Sequence, residues 1–177
     1  PERFAPLLRA GATAESLCRI ADPALPFAEV LRDGPGDLAA AQARAARLAA
    51  LGVRVVPLPH GDYPEPLRAL DDAPLVLAVR GRAEGLGAPA IAIVGARAAT
   101  HAAREIAHGL AFDLARAGLT IVSGLARGID GAAHRGALDA GGATIGVLAC
   151  GIDRLYPPEH RRLADAMIEA GAIVSEL

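Results

Sequence analysis

The stretch that decides the fold begins at Ala90-Ile91-Ala92-Ile93-Val94-Gly95-Ala96-Arg97 and ends at Leu119-Thr120-Ile121-Val122-Ser123-Gly124. The apolar run from Ala90 to Val94 has the composition of a strand buried on both faces. Thr100 to Ala117 places Ala103, Ile106, Ala107, Leu110, Ala111 and Leu114 on one helical face. Leu119 to Val122 is a second apolar strand. The rhythm repeats downstream: a helix over Ile129 to Ala140, a strand over Ala143 to Leu148, a Pro-opened helix over Pro158 to Ala170, and a strand beginning at Ala172 to Val174. Strands alternating with helices of this length predict right-handed βαβ units and a parallel sheet. The fold class is therefore α/β, a Rossmann-like sheet, expected to be incomplete at its C-terminal end.

Upstream the texture differs. Eleven of the thirteen prolines lie at or before Pro89. Short helices are expected over Phe4 to Ala10, Thr13 to Ile20, Pro26 to Arg32 and Leu38 to Leu51, the last stopped by Gly52. Val53 to Val56 and Pro74 to Val79 read as strands, Leu58 to Leu70 as a turn-rich connector, and Gly81 to Pro89 as a hinge or loop. Three regions follow: a helical N-terminal domain over 1–52, a connector over 53–89 whose short strands pack on the next domain, and the Rossmann-like domain over 90–177.

Composition removes several functions. The chain of 177 residues is 53% hydrophobic, too apolar for a disordered polymer. No window approaches the uninterrupted apolar length of a membrane span, and Pro1-Glu2-Arg3-Phe4 is not a secretion signal. The sequence starts without Met and stops at Ser175-Glu176-Leu177, so a fragment is expected. Cys18 and Cys150 form no CxxC, which gives neither a zinc site nor a disulfide framework, and a cytoplasmic location is the plain reading. Formal net charge is −2, and all eighteen basic side chains are Arg. Arginine suits bidentate phosphate contacts, although an Arg-only, Ala-rich chain also follows from a GC-rich genome. Between Ile91 and Arg135 five Arg face three acidic residues, so a modest basic patch fits on a near-neutral protein.

Ligands of such sheets sit at the carboxyl ends of the strands, which here are three loops. In the first, Gly95 to Thr100, a dinucleotide fingerprint would need Gly at positions now held by Arg97 and Thr100. The second strand also ends in Ser123 rather than an acidic residue, so NAD or FAD is not expected. Arg97 at the mouth of the first strand suits a phosphate met directly; a salt bridge to a neighbouring carboxylate is the plainer alternative. The second loop, Ser123-Gly124-Leu125-Ala126-Arg127-Gly128-Ile129-Asp130-Gly131, exposes backbone amides at a helix start and sets Arg127 beside them. It is neither a Walker loop nor a nucleophile elbow. Asp130 can act simply through the helix dipole, and His134, one turn on, reads as a structural hydrogen bond before a metal ligand. The third loop, Cys150 to Pro158, offers Arg154 and Tyr156. Tyr156 can stack on a base or pack to fix the turn. At 3% aromatic residues, no extended stacking platform is expected.

These loops resemble the DNA-processing protein A (DprA/Smf) family. The resemblance rests on Ile93 to Arg97, Ser123 to Asp130 with Ala133-His134-Arg135-Gly136-Ala137-Leu138, Gly151 to Pro157, and Gly171 to Glu176. Upstream, Tyr63-Pro64 through Leu67, Pro74 and Gly81 fit as well. It runs from about Leu51 to Leu177, and the first fifty residues match as a small sterile-alpha-motif-like (SAM-like) helical module. The resemblance implies a cytoplasmic, homodimeric protein that binds single-stranded DNA, protects it, and loads the RecA recombinase in natural transformation. The family's basic residues after the first and second strands fall on Arg97 and Arg127, while the third loop varies and leaves Arg154 resting on the loop reading. The candidate DNA contacts are Gly95, Arg97, Ser123, Gly124, Arg127, Gly128, Arg154 and Tyr156, with no catalytic residue, metal or cofactor. The alternative is an enzyme, a nucleoside-monophosphate phosphoribohydrolase of the lysine-decarboxylase-like (LOG) group. That group shares the strand–Gly loop–helix order but carries a PGGxGTxxE stretch absent from this sequence.

Overall fold

The computed structural model describes residue 43 and residues 46–58 and 60–176. The elements in chain order are β1 (Val53–Pro57), α1 (Glu65–Arg68), β2 (Val76–Gly81), a 3₁₀ turn (Ala83–Gly87), β3 (Ala90–Ala92), α2 (His101–Arg116), β4 (Thr120–Ser123), α3 (Ile129–Asp139), β5 (Thr144–Val147), a second 3₁₀ turn (Pro158–His160), α4 (Arg161–Ala170) and β6 (Ala172–Ser175). The expected helical domain over 1–52 lies almost wholly outside the described residues. Residues 46–50 are helical, and Gly52 takes the left-handed φ of 70° suited to a helix stop.

The six strands form one sheet in the order β1-β2-β6-β5-β4-β3. β3, β4, β5 and β6 run parallel. β2 joins β6 antiparallel and β1 joins β2 antiparallel, so the 53–89 segment supplies two strands of the same sheet. Each parallel strand is placed directly beside its predecessor. With right-handed crossovers this order puts successive helices on the same face.

The two faces separate by the period of two that strands impose. Leu77 and Val79 of β2, with Ala172 and Val174 of β6, pack with Val56, Leu58, Tyr63 and Leu86. The alternate residues Ala78 and Ile173 pack with Leu163, Ala164 and Met167 of α4 and with Leu125, Leu148 and Ile152. A third cluster joins Ala111 and Ala115 of α2 to Ala133 and Ala137 of α3 over Ile121. The segment between β1 and β3 covers the face opposite the helices, reaching as far as Val122 of β4.

Two expectations need correction. The run from Ala90 to Val94 is not a strand buried on both faces. β3 is the sheet edge, all three of its residues are exposed, and Ile91 and Val94 retain 41% and 70% of their accessibility. The apolar stripe expected on α2 holds only in part, with Leu114 packed against the alanine cluster. Ala107, Ala111 and Ala115 are buried, while Ile106 and Leu110 are 71% and 50% exposed. The cause is a close helix crossing: a Cβ at Gly136 of α3 would lie 2.2 Å from the His108 carbonyl oxygen. Only the alanine line of α2 fits so near a neighbouring backbone.

Candidate nucleic-acid interface

β3, β4 and β5 are adjacent and parallel, so the loops leaving their carboxyl ends stand side by side. Neighbouring strands lie about 4.8 Å apart, which brings the three loop roots within roughly 10 Å.

Asp130, in the first turn of α3 and 6% exposed, ties the first loop to the second. Its Oδ1 accepts from the Gly95 amide at 3.4 Å, and its Oδ2 accepts from the Gly124 and Ala126 amides at 3.1 and 3.4 Å. The amide cradle expected to receive a ligand anion thus holds the protein's own carboxyl. This is more than a dipole effect, because three N–H groups converge on one side chain. Ser123 is buried too, and its hydroxyl donates to the Ile93 carbonyl at 2.6 Å, fastening β4 to the end of β3. Gly128 completes the joint. At φ 79° and ψ −123° it lies where L side chains are strained, and the Ile129 amide beside it donates to Ala96 O at 3.3 Å.

Each loop also presents an exposed arginine. Arg97, Arg127 and Arg154 are all exposed, one on each loop. Arg97 and Arg154 make no side-chain ion pair among the described residues. Arg127 bonds through Nε to the Glu159 carboxylate. That partner holds the guanidinium further toward its charged form and draws the Glu159 carboxyl below the ordinary glutamate value. Tyr156 is 56% exposed, whereas Pro157 after it is buried. Exposure leaves the Tyr156 ring face available for stacking.

The interior of the second loop holds residues that sequence reasoning missed. Leu125 is fully buried in the left-handed conformation, φ 54°. Its amide donates to His134 Nε2 at 3.3 Å, and its carbonyl accepts from His160 Nδ1 at 3.0 Å. The Thr144 hydroxyl donates to Ile121 O at 2.7 Å, so it accepts from His134 Nδ1, also at 2.7 Å. His134 is therefore the neutral Nδ1–H tautomer. Burial first, and then the neighbouring His160, push its pKa down to about 3. It is a structural hydrogen-bonding residue, as its position one turn after Asp130 suggested. His160 and Glu159 lie 35 and 32 residues from their partners, and no local pattern announces such pairings.

No group of three or more metal-ligating side chains occurs among the described residues, and none of their helices is long and apolar enough to cross a membrane.

Comparison with known proteins identifies the family. A family model described as DNA recombination-mediator protein A matches residues 54–177. Protein Smf of Escherichia coli is 41% identical over 123 residues, covering 69% of this chain and 33% of the relative. The DNA processing protein DprA of Bacillus subtilis is 38% identical over 126 residues, covering 71% and 42%. The chain therefore spans between a third and about two-fifths of the length of these relatives. Among solved structures, DNA processing protein A of Streptococcus pneumoniae superposes with a TM-score of 0.77 at 28% identity, covering 99% of this chain and 62% of that one. DNA processing protein A of Helicobacter pylori, described for its single-stranded DNA binding mode, superposes with a TM-score of 0.61 at 28% identity, over 71% and 55%. Sequence and fold converge: this chain belongs to the DNA recombination-mediator protein A family, the DprA/Smf proteins.

Proposed function

We propose that this chain binds single-stranded DNA across the carboxyl ends of β3, β4 and β5. It acts in the cytoplasm within a homodimer, protecting incoming DNA and loading the RecA recombinase onto it during natural transformation and recombination. The observation that carries the reading is the arrangement of Arg97, Arg127 and Arg154, one exposed guanidinium on each of three adjacent loops. Guanidinium contacts to phosphate give affinity without sequence preference, and Tyr156 adds a stacking face. The DNA-binding surface is thus Arg97, Arg127, Arg154 and Tyr156, on a framework set by Gly95, Ser123, Gly124 and Gly128. We read a binding protein rather than an enzyme. Asp130, His134 and His160, the buried ionisable groups behind the strand mouths, hold backbone amides or a carbonyl and so are engaged structurally rather than poised for acid–base chemistry.

Titrating fluorescent oligo-dT over a salt series tests the reading, with duplex DNA and AMP as comparators. Arg97→Ala and Arg127→Ala are each expected to weaken binding to all sequences and to lower the salt slope by about 0.7. Slopes unchanged in both variants would remove these residues from the interface. Release of ribose phosphate from AMP without strand binding would favour a phosphoribohydrolase.

The Arg127–Glu159 pair adds a second expectation. Glu159 takes the Nε–H of Arg127 and leaves its terminal N–H groups for a phosphate, but its negative charge opposes one, and Gln at 159 removes that charge while keeping an acceptor for Nε. Glu159→Gln should tighten strand binding roughly two- to fivefold at low salt, the scale of an exposed ion pair. Weaker binding in that variant would mean that Glu159 aims Arg127 rather than opposing the phosphate.

A further inference from the structure

We infer that His160 is a positioning residue for DNA binding: through Leu125 it sets Arg127 and couples the second loop to the third. The inference rests on the proposed binding surface but concerns a side chain outside it. His160 is 6% exposed, and its Nδ1–H is the donor to the Leu125 carbonyl. Leu125 is held from the other side by His134, so both backbone polar groups of this left-handed residue are fixed by imidazoles. A non-glycine residue persists in that conformation only where its surroundings impose it.

Arg127 follows two residues later, and its guanidinium bonds to Glu159, the neighbour of His160. The turn Pro158–His160 therefore grips the second loop twice, inside through His160 and outside through Glu159. The same turn ends the loop that carries Arg154 and Tyr156. Gly131 makes room for the ring, since a Cβ there would lie 2.7 Å from His160 Cε1. Without the inner bond, Leu125 keeps only the His134 tie and is more easily drawn from the left-handed region, which loosens the relation of Arg127 to the third loop.

Salt slopes for oligo-dT binding, measured in the full chain, separate positioning from general stability. His160→Ala is expected to lower the slope by the same amount as Arg127→Ala, about 0.7, and the double variant should fall no further than either single one. His160→Asn, whose side-chain amide can donate to the Leu125 carbonyl, should restore most of the slope. Gly131→Ala displaces the ring without removing it and should reproduce the loss, which keeps the test open if His160→Ala does not fold. A wild-type slope in both His160→Ala and Gly131→Ala, or losses that add in the double variant, would overturn the inference. A wild-type slope in Arg127→Ala alone would instead overturn the assignment of Arg127, and the positioning role with it.

Discussion

Gly128→Ala is expected to remove about 4 kcal/mol or more of stability and to abolish single-strand binding at ordinary salt. Two effects combine. The residue sits at φ 79°, and a Cβ would stand 2.1 Å from Ala96 O, 2.7 Å from Arg97 O and 2.9 Å from Arg97 C. These are backbone atoms, and they have little freedom to retreat. Ala96 O accepts from the Ile129 amide, and the Gly95 amide is tied to Asp130. Relief would require separating the first loop from the second, which exposes buried Asp130 with fewer partners and moves Arg97 away from Arg127. Gly141→Ala is the comparison: it also has a positive φ, 71°, with nothing within 4 Å of the added Cβ, so it shows the cost of a positive φ without a clash, about 1 kcal/mol. Urea or thermal unfolding of the two variants checks the difference, and a loss of 4 kcal/mol corresponds to a fall in Tm of roughly 10 °C in a domain of this size. If Gly128→Ala loses no more stability than Gly141→Ala, the close approach of Gly128 to Ala96 does not exist, since the backbone strain at Gly128 is at least as large.

Acid should destabilise the protein through His134. In the unfolded chain its imidazole binds a proton near the ordinary value of 6.5, and in the fold only at about 3. Between those values the unfolded state holds the extra proton, so stability rises with pH across the window and is complete above it. On falling pH the loss runs at up to about 1.4 kcal/mol per unit, on the order of 4 kcal/mol by pH 3. The reason is structural: Nε2 must stay bare to accept the Leu125 amide, and a proton there would set two donors against each other. Urea midpoints from pH 3.5 to 7.5 should fall steeply in the wild type below pH 6.5. His134→Ala starts lower, because the Leu125 amide and the Thr144 hydroxyl lose a buried partner, but its curve should be flatter. Parallel curves would show that His134 is not held neutral.

The proposed binding surface was only partly legible in the chain. Arg97 and Arg154 are exposed at strand mouths because parallel βαβ units always direct those loops to one edge, and the sequence places an Arg on each. Arg127 is exposed for the same reason, but its pairing with Glu159 depends on the turn after β5 folding back toward the loop after β4. The glycine loop reads as an anion cradle from its spacing, and it is one. Its occupant is Asp130, because the first turn of α3 carries a carboxyl at the point where the amides of Gly95, Gly124 and Ala126 converge.

Local sequence determined the alternation of strands and helices from 90 onward, the places where helices stop, and the basic chemistry of the loops. Each is written within one element, in the periodicity of its apolar residues and the identity of the residue that ends it. Tertiary structure decided the rest. It set β3 at the sheet edge, chose alanines rather than Ile106 and Leu110 as the buried line of α2, joined β1 and β2 to the parallel strands, and brought His160 to Leu125. These outcomes depend on which surfaces meet, and hydrogen bonds between residues more than thirty positions apart leave no mark in the pattern of either partner alone.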